Sequence, residues 1–384
     1  MFTRIYYIKI IFQCFFRRIT KGCSCNEVKK IPKTVLIVQL AWLGDMVCTT
    51  PMFSAIRKEY PNCRIVVIGA SRNKELLENH LDVDRYISWK DNFRYIKEQL
   101  RKESVDFACV TSPHFLSLAY LYLIGIPSIA VPQIYNGFSP LETKSFRLLR
   151  SMVAIKVPHK MGSYAPREYL RLLEPIGIIS DNTKKTLYFS KKAKEKVYQF
   201  FLDKNITSSD LLVAISPSVG NKIKKWKADK FAKLADDIYH NYDAKLIIIG
   251  GEGDKEEVEE MISFLGKDTL VFNTLGIFSI DELKALISKI DFFISVDTGP
   301  IYIAEAFGVA TVDITGPIDE NEQPPISDIH RVVNIKNRNK PELYVMNSRV
   351  YNREEALRQV DEISVEMVLE TFDEIFHHIK QKRL

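Results

Sequence analysis

Runs of consecutive apolar and β-branched residues recur along the chain, each followed by a polar turn and a segment with helical periodicity. Unbroken apolar runs of this kind are typical of parallel strands that are buried on both faces of a sheet. Their alternation with helices predicts doubly wound α/β domains. The predicted strands are "TVLIVQL" (34–40), "RIVVIGA" (64–70), "DFACVTS" (106–112), "SIAVP" (128–132), "LLVAISPS" (211–218), "KLIIIGG" (245–251), "TLVFNTLG" (269–276), "DFFISVD" (291–297) and "TVDIT" (311–315).

The alternation is interrupted once. Around residues 180–210 the chain becomes polar and rich in lysine, and then the strand and helix pattern restarts. A chain of 384 residues is long enough for two domains that each bury a core. We therefore expect two doubly wound domains of similar size that face each other, with a ligand in the cleft between them.

Composition limits the classes of function. Apolar residues make up 46% of the chain and charged residues 27%, as in soluble globular proteins. The net charge of +6 fits a polyanionic ligand or an acidic membrane surface, but it is too diffuse to predict nucleic-acid binding. The cysteines form no CxxC pair, which argues against a disulfide framework or a zinc site and favours a reducing cytosol; they are Cys14, Cys23, Cys25, Cys48, Cys63 and Cys109.

The amino-terminal segment, residues 1–30, differs from the rest of the chain. It contains "RIYYIKIIFQCFFRRITKGC", which is rich in Ile, Phe and Tyr and is interrupted by Lys9. The apolar run is too short to span a bilayer, and no small-residue cleavage site follows it. We interpret the segment as an anchor at the membrane interface. The alternative is an extension that packs on the neighbouring domain.

A charged carboxylate, Asp45, follows the first predicted strand, within "VQLAWLGDMVCTTP" (38–51). Thr50 and Pro51 form a helix-start signal, an N-cap followed by proline at the first helical position. This signal places Asp45 in a turn between strand and helix. Doubly wound domains contact ligands at the carboxyl ends of their strands, so Asp45 is a candidate for chemistry. The alternative is an aspartate that stabilises a tight turn.

A second strand end, "SVDTGPIYIAEAFG" (295–308), has the features of an anion site. Thr298 can cap a helix, Gly299 permits close approach to the backbone, and Pro300 begins the helix. Free amides at such a helix end bind anions such as a pyrophosphate. The alternative is that Asp297 and Thr298 only cap the helix.

Two other site types are weakly supported. Neither half of the chain carries the GxGxxG fingerprint, so the sequence does not predict NAD binding. "DVD" at Asp82–Asp84 has the spacing of metal-dependent transferases of another fold, but such acidic pairs are common in turns. We therefore expect no metal and no cofactor.

Taken together and in order, the motifs resemble those of the ADP-heptose:lipopolysaccharide heptosyltransferases, glycosyltransferase family 9. The resemblance rests on "VLIVQLAWLGDMVCTTPMFSAIRKEYPNCRI", "SPSVGNKIKKW", "IIIGGEGD" and "DTGPIYIAEAFGVATVDITGP", and it covers most of residues 34–320. It implies a GT-B fold of two Rossmann-like domains. Residues 31–185 would form the acceptor-side domain and residues 186–350 the sugar-nucleotide-binding domain. Residues 351–384 would form a C-terminal segment whose helix, within 364–381, packs back on the N-terminal domain.

The resemblance also implies roles for individual residues. Asp45, in the GD motif after Gly44, matches the family's catalytic aspartate. A single displacement with inversion requires one general base near the acceptor hydroxyl, rather than the two carboxylates of a glycosidase. Lys224 matches a lysine that contacts the donor phosphates, and Lys225 is the weaker candidate. The donor-binding residues implied in this way are Gly44, Ser216, Ser218, Lys224, Asp254, Asp297, Thr298, Gly299 and Tyr302.

The sequence departs from the family pattern at Gln39, Ser216 and Tyr302, which replace Arg, His and His. The function predicted is transfer of heptose from ADP-heptose to the lipopolysaccharide inner core, by a cytoplasmic protein that is peripheral at the inner membrane. One alternative is a family-9 enzyme that uses another nucleotide sugar or another glycan or protein acceptor. The other is a catalytically silent protein that binds a sugar nucleotide.

Overall fold

The computed structural model describes residues 2–21, 31–347, 349 and 352–383. The chain forms two compact units. The first consists of Met1–Lys185 with Val345–Ser348, and the second of Thr186–Tyr344 with Arg349–Leu384.

The first unit contains one six-stranded parallel sheet with helices on its faces. Its strands are β1 (Thr34–Gln39), β2 (Arg64–Gly69), β3 (Arg85–Ser88), β4 (Phe107–Val110), β5 (Ser128–Ile134) and β6 (Ile155–His159). Its helices are α1 (Phe2–Lys21), α2 (Leu43–Glu59), α3 (Lys74–Leu77), α4 (Phe93–Leu100), α5 (Phe115–Ile124), α6 (Lys144–Val153) and α7 (Ala165–Arg171).

The second unit repeats this plan. Its strands are β7 (Leu211–Ser216), β8 (Ala244–Ile248), β9 (Val271–Asn273), β10 (Phe292–Val296), β11 (Ala310–Ile314) and β12 (His330–Val333). Its helices are α8 (Lys191–Asp203), α9 (Ala228–Tyr242), α10 (Lys255–Ser263), α11 (Ile280–Ile287), α12 (Gly299–Ala306), α13 (Arg353–Asp361) and α14 (Val365–Arg383).

The two sheets have the same strand order. The first sheet has the order β3-β2-β1-β4-β5-β6, and the second has the order β9-β8-β7-β10-β11-β12 when read in the same direction. In both sheets the order reverses next to the first strand, at the pairs β1/β4 and β7/β10. Every named strand pair is parallel. The predicted doubly wound α/β class is confirmed, and in such sheets ligands bind beside the carboxyl ends at the reversal.

The start of α2 differs from the prediction. The helix begins at Leu43, so Thr50 and Pro51 lie inside it and do not begin it. Proline has no N–H to donate to the carbonyl four residues earlier, which is that of Val47. The Thr50 hydroxyl donates to the Val47 carbonyl oxygen instead, at 2.8 Å. The carbonyl is therefore satisfied, and the helix continues through the proline.

The last helix, α14, packs within the second unit. Its neighbours are α9, β11 and β12, and Val368 and Phe372 are buried in the core that these elements share. The Tyr242 hydroxyl of α9 donates to Asp373 of α14 at 2.8 Å. The expectation that residues 351–384 pack back on the N-terminal domain stays a prediction.

Helix α1 packs on α5 and α6 of the first unit. No helix in the described ranges is both long and apolar enough to cross a bilayer. Of the cysteines, Cys23 and Cys25 lie outside the described residues. Within those residues no disulfide joins Cys14, Cys48 or Cys109 to another thiol, and all three are buried.

Candidate active site

Asp45 lies at the reversal point of the first sheet. It follows β1 and occupies the first turn of α2 rather than a turn before the helix. Its side chain is half-buried, and Gly44 beside it is buried. The Trp42 backbone N–H donates to the Asp45 carboxylate at 3.2 Å, so the carboxylate also caps the helix that carries it. The position combines a structural contact with exposure at the edge where ligands bind.

The segment before Asp45 is held by the neighbouring strand connection. The Asn73 side-chain amide, which follows β2, donates to the Ala41 carbonyl at 3.1 Å. The Arg72 guanidinium lies 3.9 Å from the centre of the Trp42 ring. Arg72 is thus engaged with Trp42, and these contacts restrict the backbone that positions Asp45.

Gln39, one of the departures from the family pattern, is 1% exposed at the end of β1. Its amide nitrogen donates to the Thr49 hydroxyl at 3.1 Å, and its amide oxygen accepts the Ala41 N–H at 3.2 Å. Gln39 therefore ties β1 to α2. An arginine here would bring a charge that these two neutral partners do not balance.

His114 is a polar residue at this edge that the sequence analysis missed. It caps α5 directly after β4, on the other side of the reversal from β1. Its Nδ1 accepts the Ser117 N–H at 3.2 Å, which places the proton of the neutral ring on Nε2. Burial lowers the pKa of His114, although the charge of Asp91 acts in the other direction. The sequence signal that could have identified His114 is its position as a polar residue between a predicted strand and an apolar helical run.

Asp82 and Asp84 both form ion pairs with Arg57. One Arg57 nitrogen lies 3.0 Å from the Asp84 carboxylate, which also accepts the Ile65 N–H at 2.7 Å. The Ser54 hydroxyl donates to Asp82 at 3.1 Å. The two aspartates thus stabilise the connections around β2 and engage Arg57. In the described part of the chain, no group of three or more His, Cys, Asp or Glu side chains is arranged to hold a metal.

In the second unit, the predicted donor residues converge on the reversal point between β7 and β10. Ser216 ends β7 and pairs with Ser295 of β10. Ser216 and Ser218 are both buried, with exposures of 2% and 6%. Asp297 follows β10 directly, and Thr298 precedes α12. Of the candidates, only Gly44 and Asp45 belong to the first unit.

The three lysines after Asn221 have different partners. Lys222 pairs with Glu257, and Lys225 lies 2.7 Å from Glu260, both on α10. Lys224 instead reaches the strand ends. Its Nζ is 2.7 Å from the Asp297 carboxylate and 2.5 Å from the Asp297 carbonyl oxygen. The geometry supports Lys224 over Lys225 as the donor-contacting lysine.

Trp226 fixes the loop that carries Lys224. Its indole is 1% exposed and packs edge-on against Phe231 with ring centres 4.8 Å apart. Its Nε1–H donates to the Ile363 carbonyl at 2.9 Å. Because Trp226 is only two residues from Lys224, this anchor restricts where the ammonium group can lie.

The N-terminus of α12 is a second source of positive potential. Thr298 is the N-cap residue, but its side chain makes no capping hydrogen bond among the described residues. Gly299 and Pro300 begin the first turn, where Pro300 has no N–H and the Ile301 N–H donates to the Thr298 carbonyl at 3.2 Å, so Gly299 supplies the first amide. Tyr302 is 2% exposed, and its hydroxyl donates to the Asp297 carboxylate. Tyr302 therefore positions Asp297.

Asp254 lies after β8, the strand next to β7. Its carboxylate accepts the Gly251 N–H at 2.7 Å, which closes a short 3-10 turn, Glu252–Asp254, before α10. The side chain is half-buried. This contact stabilises the turn. Asp254 lies at the same edge of the sheet as the other donor candidates.

Asp313 is a buried acid that the sequence analysis did not single out. It lies on β11 opposite Ser295, is 0% exposed, and neither carboxyl oxygen has a hydrogen-bond partner among the described residues. Burial raises the pKa of Asp313 well above its usual range, and the negative charge of Asp297 raises it further. The positive charge of Lys224 acts in the other direction.

This raised pKa gives a testable pH dependence. An acid with a raised folded-state pKa contributes stability at low pH that is lost as pH rises toward that pKa. Asp313→Asn has no titratable group at this position, so the variant does not lose this stability as pH rises. We expect the free energy of unfolding of the variant, relative to wild type, to rise by up to about 1.4 kcal/mol per pH unit above pH ~4. Urea unfolding at several pH values measures it, and Asp268→Asn, an exposed acid of the same unit, is the control. A difference that is constant with pH would mean that Asp313 is ionised in the folded protein.

Comparisons with known proteins identify the family of this chain. The model of the family described as Glycosyltransferase family 9 (heptosyltransferase) matches residues 94–350. Lipopolysaccharide core heptosyltransferase OpsX of Haemophilus influenzae is 23% identical over 80% of this chain and 86% of its own length.

Solved structures show the same fold. E. coli ADP-heptose lps heptosyltransferase II superposes with a TM-score of 0.70 at 18% identity, over 90% of this chain and 99% of its own. E. coli heptosyltransferase WaaC with ADP-2-deoxy-2-fluoro heptose gives a TM-score of 0.64 at 14% identity, over 89% and 99%. The expected GT-B fold class is confirmed. Because the family model matches more than half of its residues, the chain belongs to glycosyltransferase family 9, the heptosyltransferase family, and is a glycosyltransferase.

Proposed function

We propose that this protein transfers heptose from ADP-heptose to the lipopolysaccharide inner core, with inversion at the anomeric carbon. The observation that carries the proposal is the position of Lys224 against Asp297, next to the N-terminus of α12. The name of the relative OpsX, a lipopolysaccharide core heptosyltransferase, supports this acceptor. The ADP-heptose analogue bound to the similar structure of WaaC supports this donor.

The donor diphosphate would bind at the carboxyl ends of β7 and β10. As the bond between the anomeric carbon and the diphosphate oxygen breaks, negative charge develops on the leaving ADP. The Lys224 ammonium and the Gly299 N–H at the start of α12 would stabilise that charge. Asp297 already accepts from Lys224 and Tyr302, so it holds the ammonium group in place before the donor arrives.

Asp45 would act as the general base. The acceptor hydroxyl oxygen attacks the anomeric carbon while its proton moves to the Asp45 carboxylate. One new carbon–oxygen bond forms and one breaks, so a single displacement needs no covalent intermediate. The half-buried position of Asp45 at a strand end leaves it accessible to a bound acceptor.

We further propose that the protein is peripheral at the cytoplasmic face of the inner membrane, because the acceptor core is attached to a membrane lipid. A second candidate function is transfer from another nucleotide sugar. It is favoured by Tyr302, which stands where the family has His and whose hydroxyl contacts Asp297 instead of pointing to solvent.

Transfer assays with defined donors test the proposal. The purified protein is expected to release ADP from ADP-heptose when lipopolysaccharide truncated in the inner core is present, with other nucleotide sugars turned over far more slowly. EDTA is expected to leave the rate unchanged, because Lys224 and a helix end supply the positive charge. A preference for a UDP- or GDP-sugar would support the second candidate. Donor binding without turnover of any donor would indicate a silent binding protein.

A further inference from the structure

Helix α1 has two apolar faces, and only one of them packs on the protein. The packed face inserts Ile10 and Cys14 into the core of the first unit, with exposures of 3% and 0%. Tyr7 lies against Phe115 of α5 with ring centres 4.7 Å apart. The Tyr6 hydroxyl is 2.7 Å from the Tyr120 hydroxyl of α5. Helix α1 is thus an integral part of the first unit.

The other face of α1 forms an exposed apolar stripe. Its members lie at positions 5, 8, 12, 15, 16 and 19, and each has another member three or four positions away, so they lie on one side of the helix, opposite the packed face. Each is at least half-exposed: Ile5 58%, Ile8 54%, Phe12 69%, Phe15 51%, Phe16 69% and Ile19 66%. A contiguous patch of large apolar side chains at this exposure marks an interaction surface.

The surroundings of the stripe are basic. Helix α1 contains no acidic residue, and Lys9 on it is exposed. The adjacent α6 also contains no acidic residue, and its exposed side chains include Lys144, Arg147 and Leu148. An apolar stripe flanked by basic groups complements a surface that offers hydrocarbon below a layer of negative charge. A second copy of the same basic surface would be repelled instead.

We propose that the exposed stripe of α1 docks on an anionic lipid bilayer, with α1 lying in the interface while its opposite face stays packed on α5. The proposal names the surface that would contact the membrane. It rests on the proposed function only for the identity of that membrane, the inner membrane. Phe12 and Phe16 would enter the region between headgroups and acyl chains, and Lys9, Lys144 and Arg147 would contact anionic headgroups. The helix does not cross the bilayer.

Sedimentation of the full-length protein with vesicles tests the stripe. Wild type is expected to bind vesicles of phosphatidylcholine and phosphatidylglycerol, and to bind phosphatidylcholine alone more weakly. Phe12→Ser with Phe16→Ser is expected to lower the partition coefficient about tenfold or more, because two large apolar side chains no longer enter the lipid. The matched control is Phe264→Ser with Leu270→Ser in the second unit, which are 55% and 70% exposed. That control is expected to bind like wild type.

Both altered side chains are exposed, so the thermal midpoint is expected to stay unchanged. If it falls, Ile8→Ser with Ile19→Ser repeats the test on the same stripe. Equal vesicle binding by wild type and the stripe variant would overturn the proposal. So would a wild-type dimer that ignores vesicles and dissociates in the variant, since the stripe would then bind a second copy. Vesicle binding requires neither donor nor acceptor, so its failure leaves the proposed transfer reaction standing, and loss of ADP release leaves the docking surface standing.

Discussion

Asp45→Asn is expected to lower kcat by ~10²–10⁴, because an amide cannot take the proton of the acceptor hydroxyl. The asparagine side-chain oxygen can still accept the Trp42 N–H that the carboxylate accepts now, so the start of α2 is preserved. The donor dissociation constant is expected to change little, since the implied donor residues other than Gly44 belong to the second unit. Steady-state rates and calorimetric donor binding measure the two effects.

The chain offers a matched control for this variant. Glu282 occupies the same position in α11 as Asp45 does in α2, and its carboxylate accepts the Ser279 N–H at 2.8 Å. Glu282→Gln therefore reports the cost of neutralising a capping carboxylate, together with the loss of its ion pair with Lys196, without touching the proposed base. If Asp45→Asn turns over normally, or loses activity only through a lower melting temperature, the carboxylate serves the helix and not the reaction.

Lys224→Met is expected to raise the donor dissociation constant about ten- to a hundredfold, because it removes a charge-assisted hydrogen bond to the diphosphate. Methionine keeps the apolar part of the side chain. Lys225→Met is the control, since Lys225 pairs with Glu260 rather than with the strand ends. Calorimetric titration with ADP measures the effect on both proteins.

A stability measurement separates two roles of Lys224. The Lys224 and Asp297 side chains are 14% and 11% exposed. Removing the ammonium therefore leaves a largely buried carboxylate without its positively charged partner. A lower thermal midpoint is therefore expected alongside the weaker binding. An early melt with unchanged ADP affinity would show that Lys224 only neutralises Asp297.

The sheets were predictable from sequence because their strands are long apolar runs. "TVLIVQL" and "DFFISVD" contain β1 and β10, and Ser279 with Glu282 forms a capping box at the start of α11. The predicted ends of these strands then showed where polar side chains such as Asp45 and Asp297 lie in the sheets. For these elements the local sequence and the tertiary structure favour the same conformation.

Other features depend on contacts that no local pattern reports. Thr50 and Pro51 have the sequence of a helix start, but a hydroxyl contact to Val47 keeps them inside α2. The two apolar faces of α1 give a weak amphipathic pattern, and only the packing on α5 distinguishes them. The raised pKa of Asp313 follows from the pairing of β10 with β11, which buries the acid opposite Ser295 and near Asp297.

The bond from the Trp226 indole to the Ile363 carbonyl has a consequence for synthesis on the ribosome. The Lys224 loop is made early in the second unit, yet its anchor is made more than a hundred residues later. The core that surrounds the anchor also needs Val368 and Phe372 of α14. Most contacts of the first unit can form while translation continues. A nascent chain that stops before residue 363 would carry Lys224 on an unanchored loop, so we expect messenger truncation before that residue to yield no partially competent enzyme.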